Sequence, residues 1–217
     1  MSAKLISYTK SIENPNESLI DNIAFVARVS NPNNQNNKLN NEKLINYLIR
    51  NSHWSPFEMC SICLEIETTR DIARQIIRHR SFSFQEFSQR YAKVNKKFLI
   101  KDARLQDKKN RQSSILTSDE ELKLEWKNKQ REISNLVKEN YAWALENNIA
   151  KECARVILPE GMTISTLYMS GSLRSWIHYL QLRTGNGTQQ EHKDVADRCK
   201  VEIAKIFPLI NEIVSIN

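Results

Sequence analysis

Glycine is scarce in this chain, with four among 217 residues, at positions 161, 171, 185 and 187. No G-x-G-x-x-G and no G-x-x-x-x-G-K-[ST] can be read among them, which argues against a Rossmann-type or P-loop nucleotide site. Long apolar runs are missing as well. Stretches such as Ile23-Ala24-Phe25-Val26-Ala27 fall far below the ~20 residues that a membrane-spanning helix needs, and Met1 to Ser7 holds no apolar leader region. The expectation is a soluble, cytoplasmic protein with no membrane partner. Four cysteines occur, two of them as Cys60-Ser61-Ile62-Cys63. This C-x-x-C spacing is shared by metal and redox sites, but residues 57–67 read as a strand, where positions three apart point to opposite faces. No second C-x-x-C or close His pair accompanies it, so structural thiols and no metal site are expected. Cys153 and Cys199 read as helix-packing residues. No internal repeat or linker breaks the chain, and its length suits one domain over 1–217 with a sizeable core.

What the chain does have is positive charge, a net +7, which suits nucleotides, folates, nucleic acid or a membrane surface without choosing among them. Its most informative stretch is Arg78-His79-Arg80-Ser81-Phe82-Ser83-Phe84-Gln85-Glu86-Phe87-Ser88-Gln89-Arg90, where anion donors, a carboxylate and hydroxyls are concentrated. Upstream, Ile72, Ala73, Ile76 and Ile77 fall at helical spacing and face a core, which leaves Arg74, Gln75 and Arg78 on the opposite side and His79 at the edge. A guanidinium fork matches phosphate and uracil-type carbonyls, and the Ser88 hydroxyl with neighbouring amides adds phosphate donors.

Elsewhere the pattern predicts a strand at 4–8, helices at 18–29 and 41–50, and a loop tip carrying His53 ahead of Pro56. Residues 91–100 read as a returning strand, and 101–118 as a polar, basic, mobile excursion. A long helix is expected from the Ser118-Asp119-Glu120-Glu121 start to Glu146, with Leu122, Trp126, Ile133, Val137 and Tyr141 on one side as core or subunit interface. After a Pro159-Glu160-Gly161 turn, a strand over 162–169 leads into a helix at Ser172. In that helix Leu173, Trp176, Ile177 and Leu180 form an apolar stripe, and Arg174, His178 and Gln181 a polar one. The helix ends at Arg183 before Thr184-Gly185-Asn186-Gly187, which places that arginine at a rim.

Arg-His-Arg followed by seven residues, Ser, one residue and Arg resembles the signature of the flavin-dependent thymidylate synthase family. Further similar blocks occur in order: His53-Trp54-Ser55-Pro56-Phe57-Glu58, Glu152-x-x-Arg155, and Ser172 to Arg183. The resemblance runs from about residue 20 to 205, interrupted by a weakly matching charged region at 101–131. Gln85 stands where many members have Asn, Met59 where His is common, and Ser172 where Asn is frequent.

The resemblance implies an α+β fold, with a small, mainly antiparallel sheet packed by several helices, one of them long, and active sites at the interfaces of a homotetramer. It also implies reductive methylation of dUMP to dTMP, with FAD as cofactor, methylenetetrahydrofolate as carbon donor, NADPH as reductant and tetrahydrofolate released. No cysteine nucleophile is then required. Arg183 matches the arginine that polarises or ionises the uracil, and His53 the loop histidine near the flavin and the folate entrance. Gln75, Arg78, Glu86, Phe87, Ser88, Gln89, Arg90, Arg155 and Arg183 match positions around dUMP. Ser55, Arg78, His79, Arg80, Glu86, Ser172, Leu173, Arg174 and His178 match positions lining FAD.

Two other readings compete. A nucleic-acid module would use the Arg78 helix and residues 93–111 on phosphates, with Phe82, Phe84 and Phe87 stacking on bases. It leaves Arg174, His178 and Arg183 without a role. A relative that keeps the flavin for oxidase chemistry alone would have little use for the retained arginines.

Overall fold

A computed structural model describes residues 1–215. Its frame is a four-stranded antiparallel sheet in the order β1-β2-β6-β3, built from Ser2–Tyr8, Ser61–Thr69, Ile164–Ser172 and Ser83–Glu86. β2 shows why one face is covered: Ile62, Leu64 and Ile66 are buried, while Cys63, Glu65 and Glu67 between them remain partly open. That alternation is the mark of an antiparallel sheet with one solvated side. Pairing runs without a slip from Ser61 opposite Ser172 to Thr69 opposite Ile164.

Helices α1 (Leu19–Ala27), α2 (Asn41–Arg50), α3 (Ser55–Glu58), α4 (Arg70–Ile76), α5 (Glu120–Glu146), α6 (Lys151–Ala154), α7 (Leu173–Arg183), α8 (Gln190–Ala204) and α9 (Ile210–Ser215) complete the α+β fold. Their starts follow local chemistry. Ser18 and Asp21 close a reciprocal capping box on α1, Asp119 accepts from the Leu122 N–H at 2.9 Å at the head of α5, and Ser172 caps α7 through the Ser175 N–H. Each such cap satisfies a backbone donor that the helix leaves orphaned. The main core joins Ile62, Leu64, Ile66, Leu167 and Met169 of the sheet to Trp176, Ile177 and Leu180 of α7 and Val195, Cys199 and Ile203 of α8.

Several expectations need correction. Residues 57–60 are not strand: Pro56 sits in the first turn of α3, where its missing N–H costs nothing, and β2 begins only at Ser61. α4 stops at Ile76, so Arg78 and His79 lie in the turn that follows rather than on the helix. Residues 91–100 form no strand; Val94 and Phe98 pack instead against Tyr141, Ala144, Ala154 and Leu158 in a second, smaller cluster. Cys153 is exposed and packs no helix, unlike the buried Cys199. The segment read as an excursion carries a hairpin, β4 (Arg104–Gln106) against β5 (Ser114–Leu116).

Candidate active site

The end of β6 and the start of α7 bring the Arg-His-Arg segment to its place. At Gly171 the Phe82 ring lies so close that a Cβ would stand 2.5 Å from its Cδ1. Phe82 then stacks edge-on against Trp176, with centroids 4.9 Å apart, and the Ser175 hydroxyl donates to the Ser81 carbonyl at 3.4 Å. This packing anchors one side of the 78–82 turn. On its other side Arg183 Nε donates to His79 Nε2 at 3.0 Å, which joins the turn to the last residue of α7.

Burial and the adjacent Arg183 guanidinium push the His79 pKa down to about 4, so the imidazole is neutral at pH 7 and accepts through Nε2. The arginine is thus oriented by a neutral acceptor rather than by a carboxylate, and its charge is left uncompensated by that contact. Behind His79 lie two residues that were not anticipated as site residues. Tyr179 meets its ring edge-on with centroids 4.9 Å apart, and His192 of α8, fully buried, takes the Tyr179 hydroxyl at 3.2 Å. His192 in turn contacts Gln75, Nδ1 to Oε1, at 3.2 Å.

A second group gathers where α3 meets α7. Arg174 Nη1 donates to Glu58 at 2.7 Å, and its Nε is buried without a hydrogen-bond partner among the described residues. The His178 ring packs edge-on against Trp54 with centroids 4.9 Å apart; burial, and then Arg174, lower its pKa. Leu173 is buried beneath this group, and Ser55 is exposed beside it in α3. The Ser172 hydroxyl serves the helix cap and lies 3.1 Å from Ser175 Oγ. His53 is exposed, after Ser52 in a left-handed turn at φ 57°, and its ring meets Tyr47 edge-on.

A third group follows β3. Ser88 Oγ accepts from the Arg90 N–H at 3.3 Å, Arg90 Nε reaches Glu152 at 3.2 Å, and Arg155 Nε bonds the Glu152 carbonyl at 3.3 Å. Gln89 is buried and Phe87 exposed. Glu86 points to buried Arg70, 3.2 Å away, and accepts from Ser165 at 2.8 Å. Among the described residues no hydrogen bond, ion pair or ring contact joins this third group to the other two. Arg78 and Arg80 are exposed, with guanidinium groups that have no ion-pair partner among those residues. No cluster of three potential metal ligands exists among them, and burial raises the Cys60 thiol to about 11, which leaves it an inert structural thiol.

Exposed Arg78 and Arg80 beside half-buried Arg183 make an arginine-rich rim suited in charge to an anionic ligand, on an α+β chain with no dinucleotide motif. The profile of the family described as thymidylate synthase complementing protein matches residues 4–209. A probable flavin-dependent thymidylate synthase of Paramecium bursaria Chlorella virus 1 is 51% identical over 210 residues, covering 97% of each chain. A flavin-dependent thymidylate synthase of Synechocystis sp. is 48% identical over 188 residues, covering 87% of this chain and 86% of the relative. Among solved structures, the UMP/dUMP methylase PolB from Streptomyces cacaoi bound with 5-Br dUMP superposes with a TM-score of 0.82 at 27% identity, covering 99% of this chain and 94% of the other. The chain belongs to the thymidylate synthase complementing protein family, the flavin-dependent thymidylate synthases.

Proposed function

We infer that the chain catalyses the flavin-dependent reductive methylation of dUMP to dTMP, with methylenetetrahydrofolate as carbon donor and NADPH as reductant. The observation that carries the chemistry is the Arg183–His79 contact at 3.0 Å. It holds a cation at the end of α7 against a neutral imidazole and leaves both Nη groups without a hydrogen bond among the described residues. A guanidinium so placed stabilises negative charge that develops on a uracil ring when its C5 becomes nucleophilic, with no reorganisation at the moment of reaction. Arg183 is therefore the catalytic residue. Gln75, Arg78, Glu86, Phe87, Ser88, Gln89, Arg90 and Arg155 bind the nucleotide, with Ser88 and Arg90 towards its phosphate.

The residues suit FAD. Arg174 Nε, buried and unpaired, needs an acceptor, and Arg78 and Arg80 supply cations for a pyrophosphate. We assign Ser55, His79, Ser172, His178 and, from the third group, Glu86 to FAD as well, with fully buried Leu173 supporting the head of α7 from within. FAD, when bound, supplies the reducing equivalents that complete the methyl group. His53, exposed on its turn, gates folate entry or carries a proton. Ser88, Arg90 and Arg155 bond to one another and to Glu152, with no hydrogen bond or ion pair to Arg183 among the described residues, which suits a site completed between copies of a homotetramer. Four free thiols suit a reducing compartment such as the cytoplasm.

Tritium release from 5-tritiated dUMP tests the reading, with purified protein, FAD, NADPH and methylenetetrahydrofolate, and a control without FAD. Flavin-dependent release is expected. No release from folded, flavin-loaded protein would assign the site to a different reaction.

A further inference from the structure

A continuous line of side chains runs from the β4–β5 hairpin, in the region that resembles the family least, to a residue assigned to the nucleotide. Arg104 of β4 donates through Nη2 to both oxygens of Glu191, at 2.7 and 2.9 Å. Gln189 Nε2 donates to Glu191 Oε2 at 2.9 Å, Gln75 Nε2 donates to Gln189 Oε1 at 2.7 Å, and Gln75 Oε1 faces His192 Nδ1 at 3.2 Å. His192 Nε2 ends the line on the Tyr179 hydroxyl at 3.2 Å.

The direction of every bond in this line follows from one end. Glu191 is a carboxylate and only accepts; it is 5% exposed, and Arg104 together with the Gln189 hydrogen bond lowers its pKa against the cost of burial. The Gln189 amide must then turn its NH2 to Glu191 and its oxygen to Gln75. Gln75 must give its NH2 to Gln189 and turn its oxygen to His192. His192 must carry its proton on Nδ1 and accept from Tyr179 on Nε2. A neutral imidazole is required for this, and burial, with Arg183 and His79 nearby, holds the His192 pKa down to about 3. Turning the Gln189 amide would set like groups against each other at both of its contacts, one of them part-buried, and turning the Gln75 amide would do so at Gln189 even if His192 changed tautomer; such mismatches cost more than the bonds themselves are worth.

We propose that Arg104, Glu191, Gln189 and His192 are positioning residues that fix which way the Gln75 amide presents its remaining N–H and lone pair to dUMP. The inference rests on the reading of the chain as a dUMP-methylating enzyme. It extends that reading by giving the hairpin a part in nucleotide recognition. An amide with a fixed direction meets a pyrimidine edge with one donor and one acceptor already in place, and binding loses nothing to sorting two orientations.

Calorimetric titration of dUMP into FAD-loaded protein tests it, with steady-state KM and kcat alongside. Glu191→Gln keeps the shape and removes the acceptor-only end. Gln189→Ala cuts the line at an exposed residue, where folding is least at stake. Each is expected to weaken dUMP about tenfold and raise KM, with kcat within about twofold. In a Gln75→Ala background the same substitutions are expected to add nothing, because the line then ends on no ligand. Unchanged dUMP affinity in Gln189→Ala protein, or losses that add in full to that of Gln75→Ala, would overturn the proposal. If the unaltered protein itself binds no dUMP, the functional reading fails instead, and the two failures are distinct.

Discussion

Arg183 differs from the ion-paired arginines of this chain in what it touches. Arg70, Arg90, Arg104 and Arg174 all reach carboxylates, and each of those charges is at least partly spent within the protein. Arg183 is held by His79, whose depressed pKa keeps it uncharged. Replacing Arg183 by Ala removes the charge proposed to act on the uracil and leaves the α3–α7 group at Arg174 and His178 in place. Turnover is expected to fall by about 10²–10³-fold, with FAD binding retained as judged by the flavin absorbance that stays with the protein. Turnover within a few-fold of the unaltered enzyme would sink the assignment. The sequence exposed both partners of this contact but not the contact itself. Nor did it mark Tyr179 and His192, since a buried tyrosine and histidine at helical spacing look like any core residues until the groups around them are known.

The β6–α7 junction carries the site because a strand and a helix there share one uninterrupted segment. Gly171 is the point at which the neighbouring turn comes closest, with Phe82 Cδ1 at 2.5 Å and Cε1 at 2.8 Å from where a Cβ would stand. The ring cannot retreat freely, since Trp176 and Tyr179 meet it edge-on at 4.9 and 6.0 Å. Gly171→Ala is therefore expected to destabilise the fold by about 1–3 kcal/mol, and to weaken dUMP binding by shifting the turn that carries Arg78 and His79. Urea unfolding reads the first effect and nucleotide titration the second; an unchanged midpoint would mean that the ring has room to move. Elements with strong local signals were legible beforehand. α2 coincides with 41–50, α5 ends at Glu146, and α7 ends at Arg183 as the following glycines suggested. Those set by tertiary contact were not. The turn at 55–58 brings Phe57 into the main core, residues 91–100 are held by Tyr141 and Leu158 rather than by a ladder, and the four-residue β3 pairs only because β6 is beside it.

The long helix α5 presents the opposite of the usual arrangement. Its buried positions include Gln130 and Ser134 beside Tyr141 and Ala144, while Leu122, Trp126, Ile133, Leu136 and Trp143 are 37–60% exposed. At 3.6 residues per turn those five fall within roughly 100° of arc, so they make one apolar flank rather than scattered exposures. The stripe anticipated from Leu122 to Tyr141 drifts across this boundary: Val137 and Tyr141 reach the smaller core, and the earlier residues do not. Covering half of such a side chain is worth on the order of 1 kcal/mol, against an association cost of about 4–15 kcal/mol. Five such residues on each of two chains come to roughly the same size as that cost, so the helix flank alone gives at best a marginal association. The hairpin extends the available apolar surface with Leu105, Ile115 and Leu116, 47–80% exposed, and a closed assembly buries each such patch more than once. Light scattering is expected to give about four times the 25.3 kDa mass of one chain. Leu136→Glu, a charge placed on the exposed flank at a residue assigned to no ligand, is expected to lower that mass and to abolish tritium release together if, as proposed, Ser88, Arg90 and Arg155 act with the Arg183 of another copy. A monomer of full activity would show that one chain closes the site by itself, and would leave the exposed flank of α5 without a role in catalysis.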